Sequence, residues 1–170
     1  MNNVTLIGMP GSGKSTIGVI LAKALRYEFL DSDLLIQKQE KCKLSEINEE
    51  DGPEIFKVFV IEVYADILVT DTVIAPGGSV IFCEEAMKHL KSIGKVIYLK
   101  LSLESLSKRL GNLKGRGVLL KDGQSLKDLY EERIPLYEKY ADITIDEEGK
   151  DLDESLRAIL EIIHIKEQGK

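Results

Sequence analysis

The sequence is poor in the residues that build disulfide frameworks and zinc sites. Its 170 residues include two cysteines and two histidines, and Cys42 and Cys83 form no CxxC pair. Small secreted domains depend on several paired cysteines, so this scarcity argues against a disulfide framework. We interpret His89 and His164 as structural or surface residues and expect no zinc site. Because no charged-then-apolar leader opens the chain, we expect a reduced, cytoplasmic protein.

Cations and long apolar runs are also scarce. Lysine and arginine total 23 against 29 aspartates and glutamates, a formal net charge of −6, whereas a surface that binds nucleic acid needs a cationic excess. No apolar run approaches the roughly 18 residues that cross a bilayer. We therefore expect neither a nucleic-acid partner nor a membrane. The length suits one compact domain over residues 1–170, and we expect a monomer.

Short apolar runs alternate with longer amphipathic stretches, which is typical of a parallel sheet covered by helices on both faces. Five runs rich in aliphatic or β-branched residues are the predicted strands: Val4–Ile7, Glu28–Asp31, Val73–Ala75, Val96–Leu99 and Ile143–Ile145. Helical spacing is clearest in five segments: Ser15–Leu25, Ile55–Val69, Leu103–Leu110, Leu126–Tyr140 and Leu152–Ile163. The predicted fold class is α/β, with three layers.

A glycine-rich loop follows the first predicted strand. Residues 8–15, GMPGSGKS, match the pattern GxxxxGK[ST] and lead into an amphipathic helix, as this motif requires. Glycines let backbone N–H groups converge on an anion, and Lys14 adds a point charge for the β- and γ-phosphates of a nucleotide. Ser15 can supply an oxygen to Mg²⁺. The predicted nucleotide-binding residues are Gly11, Ser12, Gly13, Lys14, Ser15 and Thr16.

Candidate residues for the phosphoryl acceptor follow the next two strands. Asp31 and Asp33 end the second strand, where one carboxylate can hold Mg²⁺ and the other can orient or deprotonate a hydroxyl. The alternative for Asp33, which the distance from the glycine-rich loop makes the weaker one, is the N-cap of a following helix. Gly77 and Gly78 follow the third strand and permit close approach of a small ligand, or form a plain turn. Arg133 can grip a carboxylate bidentately if it is buried.

Taken together, these residues resemble the shikimate kinases, a branch of the P-loop kinases. The resemblance spans nearly the whole chain. It rests on five features: GMPGSGKST, DSD, the glycine pair, Arg109 and Arg116 around the segment 111–123, and R-x-P-L-Y…AD from Arg133. It implies a five-stranded parallel sheet in the order 2-3-1-4-5. It also implies a substrate-binding helical segment at about 33–62 and a lid at about 111–123 that closes over ATP, although 111–123 alone also suits a surface linker.

The activity implied by the resemblance is the ATP-dependent phosphorylation of shikimate to shikimate 3-phosphate, a step of aromatic amino-acid biosynthesis. The catalytic residues would be Lys14, Asp33 and Arg116, and the Mg²⁺ ligands would be Ser15 and Asp31. Arg109 would lie against the adenine and Arg116 would enter the site as the lid closes. Without the resemblance, a solvated basic loop would explain both arginines. The implied substrate-binding residues are Asp33, Lys57, Gly77, Gly78, Ser79 and Arg133.

Two departures from the family pattern concern the acceptor. The family carries F-R-x-x-E in its substrate segment, where this chain has Lys57 and Val60, and its third glycine after the third strand is Ser79 here. Lysine offers a point charge in place of the planar fork of arginine. Two alternatives to a shikimate kinase therefore stay open: a kinase of another small hydroxylated metabolite, and a catalytically silent nucleotide-binding regulatory module.

Overall fold

A single parallel sheet organises the chain. The computed structural model describes residues 2–32, 64, 67–110 and 123–168. The five strands in this part of the chain are β1 (Asn3–Ile7), β2 (Glu28–Asp31), β3 (Thr72–Ala75), β4 (Gly94–Lys100) and β5 (Ile143–Asp146). They are hydrogen-bonded in the order β2-β3-β1-β4-β5, with every neighbouring pair parallel. The predicted fold class and strand order are confirmed.

Helices follow most of the strands. The α-helices of the described residues are α1 (Lys14–Leu25), α2 (Glu84–Ile93), α3 (Leu103–Leu110), α4 (Leu126–Tyr140) and α5 (Leu152–Gln168). Four of them match the clearest predicted helical segments, whereas α2 is not among those five. Its buried residues Ala86, Met87, Leu90 and Ile93 form a short stripe between charged residues. A stripe of that length gains most of its stability from the sheet that it covers, which the local pattern does not reveal.

The sheet separates two apolar layers. Successive residues of β4 point to opposite faces, so Val96 and Tyr98 pack in one layer while Ile97 and Leu99 pack in the other. The first layer contains buried residues of α2, α3 and α4, and the second contains those of α1 and α5. Burial on both faces explains why the central strands β1, β3 and β4 are largely apolar.

Several sequence predictions lie wholly or largely outside the described residues. They are Asp33, Lys57, Arg116, the segment 33–62 and the segment 111–123, of which only Gly123 is described. Of the predicted helix Ile55–Val69, Tyr64 is helical, but Ile67–Val69 is not. The chain turns there towards β3, and Asn3 Nδ2 donates to the Val69 carbonyl oxygen at 2.7 Å. Within the described part of the chain, no helix is long and apolar enough to cross a membrane.

Candidate active site

The glycine-rich loop between β1 and α1 forms an anion cradle at the carboxyl ends of the strands. Gly11 and Gly13 have positive φ angles of 82° and 94°, which only glycine adopts at low cost. At Gly11 a Cβ atom would lie 2.8 Å from Leu110 Cδ2, so a side chain there would also force the buried Leu110 side chain of α3 to move. The loop therefore depends on its glycines for both conformation and packing.

Lys14 is the first residue of α1, and its side chain folds back over the loop. Its Nζ donates hydrogen bonds to the carbonyl oxygens of Gly8 at 2.9 Å and Met9 at 3.1 Å. The ammonium group thus lies beside the N-terminus of α1, where unpaired N–H groups and the helix dipole also favour an anion. This arrangement suits the terminal phosphates of a nucleotide. Thr16 is exposed in the same first turn, whereas Ser12, within the loop, is buried.

Ser15 and Asp31 bring two oxygen ligands together beside the cradle. Ser15 Oγ donates to Asp31 Oδ2 at 3.3 Å, although the two residues come from α1 and from the end of β2. A hydroxyl and a carboxylate fit Mg²⁺, which prefers oxygen and takes its remaining ligands from phosphates and water. Among the described residues there is no cluster of three or more His, Cys, Asp or Glu side chains that could hold a metal by itself.

A buried cation lies on the β3 side of the cradle. Arg133 of α4 is 5% exposed, and Gly78 is so close that a Cβ atom there would lie 2.6 Å from Arg133 Nη1. Its guanidinium carbon lies 5.5 Å from the centre of the Phe82 ring. Within the described ranges, no carboxylate is within ion-pair distance of Arg133 and its buried Nε has no hydrogen-bond partner. A buried charge in this state is a ready site for a ligand carboxylate.

The neighbours of Arg133 reinforce this anion site. Tyr137 lies one helical turn further along α4, and its hydroxyl is 3.5 Å from the Gly78 carbonyl oxygen. Burial raises the pKa of Tyr137 to about 12, although the Arg133 guanidinium opposes the shift. Tyr137 therefore stays neutral at physiological pH and does not compensate the charge of Arg133.

A partly buried ion pair lies on the β5 side of the cradle. Arg109, in the last turn of α3, places Nη1 4.0 Å from Oε2 of Glu147, which follows β5 and is 2% exposed. Burial raises the pKa of Glu147, and a hydrogen bond with Ser155 and the charge of Arg109 oppose this rise. Glu147 stands between Asp146 and Glu148 in the sequence, and nothing in this acidic run distinguishes the one carboxylate that is buried.

Replacing Glu147 with glutamine should stabilise the protein at neutral and alkaline pH. The folded protein holds the Glu147 proton more tightly than the unfolded chain, whose pKa is near 4.5, so ionisation of Glu147 costs folding free energy as pH rises through the folded pKa. We expect the melting temperature of Glu147→Gln to exceed that of the wild type at about pH 8 and the gap to close towards about pH 5. Differential scanning fluorimetry across this range measures both.

The neighbouring Glu148 is the matched control, because its pKa moves in the opposite direction. Hydrogen bonds from the Ser105 side chain and the Ser102 backbone lower the pKa of Glu148, which is exposed. Glu148→Gln should therefore show no gain in melting temperature at alkaline pH. An equal gain in both variants would contradict the assignment of the effect to burial of Glu147.

The described residues thus gather most of the sequence-predicted site along one edge of the sheet. The cradle lies at the centre, the Gly77–Ser79 turn and Arg133 lie on the β3 side, and Arg109 lies on the β5 side. Such a crevice at the carboxyl ends of parallel strands is the usual ligand position in an open α/β sheet. The arrangement can hold a nucleotide in the middle and a small carboxylated molecule on one side.

Comparisons with known proteins agree with this geometry. The sequence model of the family described as "Shikimate kinase" matches residues 10–164. The chain is 36% identical to a shikimate kinase of Dictyoglomus turgidum over 94% of this chain and 96% of that protein. It is 31% identical to an Acinetobacter baumannii shikimate kinase solved in complex with shikimate, with a TM-score of 0.87 and coverage of 98% and 94%. An Aquifex aeolicus shikimate kinase matches at 31% identity, a TM-score of 0.79 and 99% coverage of both chains.

Proposed function

This chain belongs to the shikimate kinase family, and on that premise we propose that it transfers the γ-phosphoryl group of ATP to a hydroxyl of shikimate. The observation that carries the proposal is the buried Arg133 guanidinium, which lies beside the phosphate cradle and lacks a carboxylate partner among the described residues. Shikimate has a carboxylate for this cation and hydroxyls that can face the nucleotide. The product would serve aromatic amino-acid biosynthesis.

Each residue around the cradle has a distinct part in the proposed transfer. Lys14 binds the β- and γ-phosphates and stabilises the negative charge that develops as the phosphoryl group leaves. Ser15 and Asp31 would hold Mg²⁺, directly or through water, and the ion supplies charge neutralisation at the phosphate oxygens when it is bound. The backbone N–H groups of the glycine-rich loop position the phosphates of the nucleotide and carry no net charge themselves.

The acceptor is held from the opposite side. Arg133 binds its carboxylate while the Gly77–Ser79 turn lines the same pocket, and Asp33, which follows Ser32 at the end of β2, orients the reacting hydroxyl and accepts its proton. Lys57 supplies a second cation for the acceptor. Holding both reactants in one crevice replaces a bimolecular encounter with an oriented transfer.

Two arginines would complete the site on the nucleotide side. Arg109 lies on the β5 side of the cradle, which leaves its partly exposed guanidinium available to the base. Arg116 would enter with the lid, add positive charge at the transferred group and help to exclude water, which otherwise competes as acceptor. Arg116→Ala should consequently lower turnover more than it lowers ATP affinity.

A coupled assay of ADP release tests the proposed function against its alternatives. Purified protein with Mg²⁺ and ATP is offered shikimate, quinate, gluconate or nucleoside monophosphates in separate reactions. Turnover that depends on shikimate and is lost in Asp33→Asn supports the proposal. Turnover with another acceptor would select a kinase of that metabolite, a result that the Lys57, Val60 and Ser79 departures would then explain. ATP binding without turnover on any acceptor would select a regulatory module.

A further inference from the structure

A buried pair of hydroxyls joins the end of β2 to the turn after β3. Ser32 directly follows Asp31, and its side chain is 0% exposed. Ser32 Oγ lies 2.5 Å from the hydroxyl oxygen of Tyr64, which is 1% exposed, and accepts a hydrogen bond from the Gly77 N–H at 3.1 Å. These contacts join residues that are 32 and 45 positions apart in the sequence.

The Gly77 amide needs this contact because the sheet does not supply one. Strand β3 ends at Ala75, and Pro76 has no N–H to continue the ladder. A partly buried N–H without an acceptor is costly, so the Ser32 hydroxyl satisfies a group that β3 does not pair. The Tyr64 ring packs in the apolar layer with Ile74 and Met9, where its hydroxyl also needs a polar partner.

The position of Gly77 determines where the adjoining peptide lies against Arg133. Gly78 is in close contact with the guanidinium, since an added Cβ atom would lie 2.6 Å from Nη1. A shift of the Gly77 peptide away from Ser32 would therefore displace the surface against which Arg133 rests. The network connects the strand that carries Asp31 to the turn that packs on Arg133, so it fixes the spacing between the metal side and the carboxylate side of the crevice.

We propose that Ser32 and Tyr64 are positioning residues for the phosphoryl acceptor, holding the Gly77 turn at the distance that a carboxylated substrate requires. This inference rests on the proposed function, because shikimate is the acceptor used in the test. Neither hydroxyl needs to touch the acceptor. Ser15 contacts Asp31 through Oδ2, whereas the network uses Ser32 Oγ, the Tyr64 hydroxyl and the Gly77 N–H, so we expect nucleotide binding to depend on it much less than acceptor binding does.

The test compares Tyr64→Phe, Ser32→Ala and the double variant in steady-state kinetics with shikimate and ATP. Each single variant should raise the KM for shikimate about three- to tenfold, the effect of one buried hydrogen bond, while the KM for ATP stays within about twofold. The double variant should raise the KM for shikimate by less than the product of the two single effects, because both substitutions break the same network. Ser32→Thr keeps the hydroxyl and should restore most of the acceptor affinity.

Tyr130→Phe is the matched control. Its hydroxyl donates to the Leu101 carbonyl oxygen at 3.1 Å, so the variant loses a comparable tyrosine hydrogen bond beyond the end of β4. Tyr130→Phe should lower the melting temperature as Tyr64→Phe does but leave the KM for shikimate unchanged. An unchanged KM for shikimate in Tyr64→Phe and Ser32→Ala, or equal changes in both KM values, would overturn the positioning role. Wild-type protein inactive on shikimate would instead overturn the proposed function and this role with it.

Discussion

Lys14→Met is expected to reduce phosphoryl transfer about a thousandfold. The ammonium group lies within 3.1 Å of the Gly8 and Met9 carbonyl oxygens and beside the N-terminus of α1, where the terminal phosphates would bind. Methionine keeps the length of the side chain but supplies no charge to the oxygens that become more negative during transfer. Because that charge grows towards the transition state, turnover should fall more than ATP affinity. Steady-state kinetics and calorimetric titration with ATP measure the two effects.

Lys23→Met is the appropriate control for this substitution. Lys23 is exposed in the last turn of α1, so the control removes the same charge from the same helix at the end remote from the cradle. It should leave turnover within about twofold, as expected of surface substitutions. A Lys14→Met variant with near wild-type turnover would contradict the assignment of this loop as the phosphate site.

Arg133→Met should weaken acceptor binding about 100-fold, corresponding to about 3 kcal/mol, and leave the ligand-free protein as stable as the wild type or more so. The loss in binding follows because a substrate carboxylate would enter a buried site without its cation. The gain in stability follows because the variant no longer buries a charge that has no carboxylate partner among the described residues. Removing about 1 kcal/mol of this cost would raise the melting temperature by about 2–4 °C.

These opposite effects distinguish a binding residue from a structural one. Arg157 is exposed on α5 and provides the control: Arg157→Met removes the same side chain from the other layer of the molecule and should change neither acceptor KM nor melting temperature appreciably. If Arg133→Met lowered the melting temperature by several degrees while the KM for shikimate stayed constant, Arg133 would be a structural cation. The proposed carboxylate site would then be wrong.

The sequence was most informative where structure is local. Each predicted strand lies within an observed one, because a short run rich in aliphatic or β-branched residues is a local signal for a strand. The strand order came from the family resemblance, and the structure confirms it. Helix α2 was not among the clearest predicted helices because its short apolar stripe lies among charged residues and is stabilised mainly by packing on the sheet. Predictions for Asp33, Lys57 and Arg116 lie outside the described residues and stay predictions.

Residues 8–15 alone specified the anion cradle, because a glycine-rich turn, a lysine and a helix start form a phosphate site within one contiguous segment. The tertiary structure alone decided which charges and hydroxyls are buried. Arg133, Glu147 and the Ser32–Tyr64 pair owe their environments to residues from other strands and helices. Burial depends on what the rest of the chain packs against a side chain, and it determines whether a charged or polar group is solvated or must find a partner.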